Sequence, residues 1–152
     1  MKIKAILDAK GSTDVYAVNE NSSLSEFVRE ACAKETGAMM VTSDAGEVVG
    51  IITERDVLRE CNKKSRFDQV KIGDVMTRKI VTVQADDDIN TAMDYMITMK
   101  IRHLPVLDGK DIAGLITIRD LIMAMRKADD RETKMLVDYL RQSLEARGAK
   151  SA

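Results

Sequence analysis

An α+β fold is predicted: two βαββα repeats packed sheet to sheet about a pseudo-twofold axis. Three observations in the 152 residues carry it. Val15-Tyr16-Ala17-Val18 reappears 65 positions later as Ile80-Val81-Thr82-Val83, an amphipathic helix follows each run in the same register, and each copy then turns back through a hairpin ending on Thr-x-x-Asp. A unit of roughly 45 residues cannot cover both faces of its own sheet, so the two copies are expected to close one core between them.

The elements correspond in order. The lead-in Lys2-Ile3-Lys4-Ala5-Ile6-Leu7 parallels Lys71-Ile72-Gly73-Asp74-Val75-Met76. After the β-prone runs, apolar residues recur at i, i+3, i+4, i+7 and i+8: Leu24, Phe27, Val28, Ala31 and Cys32, then Ile89, Ala92, Met93, Met96 and Ile97. That spacing marks one buried helical face, used twice. Ser22-Ser23 and Asp86 to Asp88 supply cap residues, and the acidic triplet reads as charge at a helix N-terminus rather than as a metal site. Ala38-Met39-Met40-Val41 and His103-Leu104-Pro105-Val106 read as strands, turned at Asp44-Ala45-Gly46 and Asp108-Gly109. The returning strands, Val48 to Thr53 and Ile112 to Thr117, run into helices from Glu54 to about Asn62 and from Ile118 to about Lys127.

The expected divisions are a first repeat over 1–62, a connecting segment over 63–70, a second repeat over 71–128, and a C-terminal helix and tail over 129–152. Leu136, Tyr139, Leu140 and Leu144 make a narrow apolar stripe in that tail. It is expected to pack on the module itself, with a second subunit or another protein as the other surfaces it suits.

Composition narrows the function. Hydrophobic residues make up 45% and charged residues 32%, as in an ordinary globular chain. The 24 Lys and Arg nearly cancel the 25 Asp and Glu and are scattered apart from Lys63-Lys64-Ser65-Arg66, which argues against nucleic acid or anionic lipid as partner. No stretch approaches a bilayer-spanning length and the first ten residues lack a secretory pattern, so a cytoplasmic protein with no membrane partner is expected. Cys32 and Cys61 stand alone, suggesting neither a disulfide framework nor a zinc site, and Cys32 is expected in the core. Most of the ten Met likewise fall where periodicity calls for burial. With no P-loop, G-x-G-x-x-G, H-E-x-x-H or nucleophile motif, and one histidine, no catalytic residue and no catalytic cofactor is expected.

Thr53-x-x-Asp56 and Thr117-x-x-Asp120 sit where a strand becomes a helix. Two readings apply. Such a segment forms a capping box, with Thr capping the helix and the acidic side chain returning the bond. It also presents unpaired helix N–H groups to a cleft, and with Arg55 and Arg119 beside the aspartates it suits an anionic ligand.

These segments, with Val49-Gly50-Ile51-Ile52 and Ala113-Gly114-Leu115-Ile116 ahead of them, Ile101-Arg102-His103-Leu104-Pro105-Val106, and Asp74-Val75-Met76-Thr77, resemble a tandem pair of CBS domains, a Bateman module, over residues 3 to about 127. The resemblance implies an adenosine-containing ligand such as AMP, ADP, ATP, NAD(H) or S-adenosylmethionine between the repeats. It nominates Asp56 and Asp120 for the ribose hydroxyls, with Thr53 and Thr117 beside them, and Arg55, Arg119, Arg102 and His103 for phosphate. Tyr16, Val81, Ala38, Met39, Ile51 and Leu115 become walls of the base pocket. The first copy has Gly37-Ala38 where the second has Arg102-His103, so the two clefts are chemically unequal.

The expected function is a regulatory module, a homodimer that binds an adenine nucleotide as a sensed ligand and signals to a partner protein in trans. The alternative is a ligand-free interaction module acting through the C-terminal helix.

Overall fold

The computed structural model describes residues 1–11 and 14–150, with side chains through 142; Leu144 of the apolar stripe lies outside the described side chains. Two three-stranded sheets, β1-β2-β3 and β4-β5-β6, repeat one design. In the first, β1 (Ala17–Asn19) runs parallel to β2 (Ala38–Thr42), which pairs antiparallel with β3 (Val48–Thr53). In the second, β4 (Val83–Gln84), β5 (His103–Asp108) and β6 (Asp111–Thr117) do the same. Helices α2 (Leu24–Ala33) and α5 (Ile89–Thr98) connect the parallel strands. The Ser23 Oγ accepts the Glu26 N–H at 3.2 Å and Asp88 accepts the Asn90 N–H at 3.0 Å, each satisfying an otherwise orphan donor at the helix start. Gly46 and Gly109 take the hairpin turns at φ 81° and 67°, a conformation that a Cβ would strain.

Alternation along the strands divides the core into three. Met39, Val41 and Ile52 face α2, while Leu104, Val106 and Ile116 face α5. Between the sheets lie Ala38, Met40 and Ile51 of the first repeat against Ile112 and Leu115 of the second.

The lead-ins are exchanged. Ile3, Ile6 and Leu7 of α1 (Ile3–Lys10) are buried with the second repeat, and Ile72 of α4 (Ile72–Val75) and Met76 with the first. The backbone repeats this crossing: Ile3 N–H donates to the Asp87 carbonyl and Lys4 N–H to Ala85, as Ile72 N–H donates to Ser22 and Gly73 N–H to Glu20. Each lead-in lies against the third strand of the opposite repeat, where glycine leaves room for it. A Cβ on Gly114 would lie 2.7 Å from Leu7 Cδ2, and one on Gly50 2.6 Å from Met76 Sδ.

Three sequence expectations need correction. Cys32 is exposed rather than core, and Ile97 is 63% exposed. Both are the i+8 residue of their stripe, about 80° around the helix from its first member, whereas i+3, i+4 and i+7 fall closer. The methionines are not mostly buried: Met39, Met40, Met76 and Met96 are, but Met1, Met99, Met123, Met125 and Met135 are exposed. The described part of the C-terminal stripe does not pack on the module, because α3 (Glu54–Asn62) stops whereas α6 (Ile118–Lys150) continues as one helix and carries Leu136, Tyr139 and Leu140 out with it, all exposed. Among the described residues, no helix is long and apolar enough to cross a membrane.

Candidate functional site

Where β3 passes into α3, Thr53 N–H donates to Asp56 Oδ2 at 2.9 Å and the Thr53 hydroxyl lies 3.4 Å from the same oxygen. The capping box is therefore formed. It occupies one carboxylate oxygen, and Arg59 reaches the other at 3.2 Å. Asp56 is 4% exposed, and burial raises its pKa despite the Thr53 amide and Arg59. A carboxylate whose charge is disfavoured in this way gains from any further hydroxyl donor brought to it.

Asp56 stands in a cleft of about 690 Å³, which is within the range of small-molecule sites. Both repeats build it. Ile51, Thr53, Glu54, Arg55 and Arg59 come from the first, and Thr77, Lys79, Ile80, Val81, Ile101, Arg102, His103 and Pro105 from the second lead-in and repeat. Ile51, Ile80, Val81, Ile101 and Pro105 give an apolar part, whereas Arg55, Arg59, Lys79 and Arg102 outnumber Glu54 and Asp56 by four charges to two. Burial lowers the pKa of His103, against the upward pull of Glu54, so the imidazole is neutral at pH 7. The cleft thus joins an apolar part, a buried acceptor and an excess of cations.

The second Thr-x-x-Asp repeats the cap. Thr117 N–H donates to Asp120 Oδ2 at 2.8 Å, and Asp120 N–H donates to Thr117 Oγ1 at 3.2 Å. Its surroundings differ, because Lys10 Nζ lies 3.0 Å from Asp120 Oδ2 and 3.1 Å from the Leu115 carbonyl. Burial opposes the Asp120 charge, but the Thr117 amide and Lys10 outweigh it and hold the pKa below the usual value.

A family profile for the CBS domain matches residues 6–63 and 72–127. The chain belongs to the CBS-domain family. An uncharacterised 17.7 kDa protein of Acidianus ambivalens is 33% identical over 116 residues, 75% of this chain and 69% of that protein. A mitochondrial CBS-domain protein of Arabidopsis thaliana is 32% identical over 120 residues, 76% of this chain but 58% of its own length. Among solved structures, a CBS-domain protein of Agrobacterium tumefaciens is 31% identical, with a TM-score of 0.78 over 82% of this chain and 99% of that one. The fold is shared with a CBS-domain protein of Pyrobaculum aerophilum solved with AMP, 21% identical with a TM-score of 0.70 over 79% of this chain and 89% of that one.

In this CBS pair, the residues nominated from sequence separate into two groups. Thr53, Arg55, Asp56, Ile51, Val81, Arg102 and His103 line the one cleft. Thr117, Asp120 and Leu115 meet around Lys10, while Arg119 is exposed on α6. Ala38 and Leu115 share the inter-sheet cluster, and Tyr16 packs on the first core with Lys34 5.5 Å from its ring centre. Met39 is the correction here: it is 1% exposed and faces α2, since neighbours on a strand point to opposite faces and Ala38 already faces the second sheet. Lys79 and Lys10 were missed by sequence reasoning. The signal was present, because a 69-residue offset between the lead-ins sets the one lysine on the other.

Proposed function

We propose that this CBS pair is a regulatory module that binds an adenine nucleotide, AMP, ADP, ATP or NAD(H), in the cleft beside Asp56, and signals the ligand's presence without turning it over. One observation carries the reading: the 690 Å³ cleft puts an apolar slot, the buried Asp56 carboxylate and four Lys or Arg side chains around one space. Base, ribose and phosphate need those three surfaces together. The apolar residues suit the base, Asp56 and Thr53 the ribose hydroxyls, and Arg102, His103, Lys79 and Arg55 the phosphate. The AMP complex of the Pyrobaculum aerophilum protein supports this ligand class. The module acts as a cytoplasmic homodimer, passing the signal to a partner protein in trans.

Thermal melts with AMP, ATP and NADH test it. At about 100 times its dissociation constant a ligand stabilises by about 2.7 kcal/mol, on the order of 5–10 °C for a domain this long. Asp56→Asn is expected to remove most of that shift. An equal shift in wild type and variant, or none in either, counts against the ribose assignment.

The alternative, an interaction module acting through its C-terminal helix, is favoured by the exposure of Leu136, Val137, Tyr139 and Leu140. Both functions fit one chain, since the helix begins at the second Thr-x-x-Asp.

A further inference from the structure

From the Lys10 contacts we infer that the cleft which the symmetry of the repeats places beside Asp120 is not open as the one beside Asp56 is: Lys10 closes it by laying the ammonium of the exchanged lead-in across the Leu115 carbonyl and the Asp120 carboxylate. The inference rests on the nucleotide reading and adds a stoichiometry and a gate to it.

The exchanged lead-ins place Lys10 and Lys79 at matching positions, one delivered to each repeat. They end differently. Gly11, at φ 71°, ends α1 immediately after Lys10, and the ammonium bridges the Leu115 carbonyl of β6 to Asp120 at the start of α6. Asp120 Oδ2 then holds three donors, the Thr117 amide at 2.8 Å, the Thr117 hydroxyl at 3.0 Å and Lys10 at 3.0 Å. Lys79 instead lines the cleft beside Asp56, where Asp56 pairs with Arg59 of its own helix.

The rest of the second cleft differs in the same sense. The 65-residue offset puts Gly37-Ala38 where the first cleft has Arg102-His103. The strand register agrees, because Ala38 pairs with Thr53 as His103 pairs with Thr117. Arg102, a cation that would draw a phosphate, thus has no charged counterpart there, and Lys10, the counterpart of Lys79, is spent on the acceptor that a ribose would need. The side chains of Lys10 and Asp120 are 36% and 21% exposed, so their pair is a modest one and the closure is a threshold that a ligand can overcome. Losing the pair together with the Leu115 bond weakens a ligand there by about tenfold.

Calorimetric titration with AMP and with ATP tests this on wild type, Lys10→Met, Lys10→Gln and the double variant Lys10→Met with Asp120→Asn, each checked first for a cooperative melt. The wild type is expected to take one equivalent per chain. Both single variants are expected to gain a second, or to tighten a weak second one about tenfold or more, and the double variant to lose it again while keeping the first. Because two variants of different shape remove the same charge, the result does not hang on either one folding. Two equal equivalents in wild type, or single variants still at one equivalent, overturn the closure and leave the Asp56 cleft standing. Weaker binding in the Lys10 variants overturns it too, by making Lys10 a ligand contact. No binding of either nucleotide to any of the proteins overturns the closure and the nucleotide reading together.

Discussion

Asp56 and Asp120 hold the same place in two repeats and cap their helices alike, yet their pKa values move in opposite directions. Asp56 is raised, chiefly by burial, so its charge costs stability as pH rises through the folded value. Asp120 is lowered, because Thr117 and Lys10 outweigh its burial, so it contributes stability above its unfolded value that is lost as pH falls through the folded one. Asn keeps an acceptor for the capping amide and removes the charge. Asp56→Asn is therefore expected to leave the ligand-free melt at pH 7 unchanged or raised, and Asp120→Asn to lower stability by about 0.5–1 kcal/mol, a deficit that fades in acid. Melts from pH 7 to pH 3 check both, and equal losses in the two variants would return both residues to plain caps. His103 is neighboured by Glu54, Arg102, Lys10 and Asp120, and burial lowers its pKa. Nucleotide affinity is expected to rise as pH drops below the ordinary histidine value, as phosphate recruits the proton, and His103→Gln to abolish that increment. Arg102→Ala should weaken binding and flatten its salt dependence, and titrations at two ionic strengths measure it.

The lead-ins decide how the elements hold together, and the two glycines beneath them predict different costs. At Gly114 an added methyl meets the far end of the Leu7 side chain, which can rotate away. At Gly50 it meets not only Met76 Sδ but the Thr77 carbonyl at 2.8 Å, and Thr77 is tied to Ile51 by two backbone hydrogen bonds of 2.9 Å each. Gly50→Ala is expected to cost about 1–3 kcal/mol in denaturant unfolding and Gly114→Ala clearly less. Because Thr77 and Lys79 line the cleft, only Gly50→Ala should also weaken nucleotide binding. The same elements show what was legible in the sequence. Repeat order, helix faces and hairpins are local patterns, and the 65-residue offset between copies exposes them. Exchange of the lead-ins is not local: Ile3, Ile6 and Leu7 read as apolar whichever repeat they bury against. Met39 was readable, since alternation separates it from Ala38 and Met40, whereas the partner of Lys10 lies 110 residues away.

At the scale of the whole molecule the unanswered surface is apolar. Helices α5 and α6 pack against each other and leave Tyr95 and Ile97 on one and Ile122, Met123 and Met125 on the other exposed. Flexible, polarizable methionines suit a contact surface, and so many large apolar groups on two adjoining helices exceed the scattered single residues of an ordinary monomer surface. A second copy of the same faces would cover them through a twofold axis, in which each residue that contacts its partner is contacted in return. This symmetry makes the interface sensitive, because one substitution enters it twice. Replacing Met123 by Glu would bury two unpaired carboxylates, each costing several kcal/mol, against an interface whose stability comes from apolar area. Light scattering at micromolar concentration is expected to give the dimer mass for wild type and the monomer mass for Met123→Glu. Leu140→Glu, far along α6 and beyond the module, should leave the mass unchanged if α5 and the first turns of α6 hold the dimer. A monomeric wild type would turn these faces over to another protein, and a dimer lost only in Leu140→Glu would move the interface onto the extended part of α6.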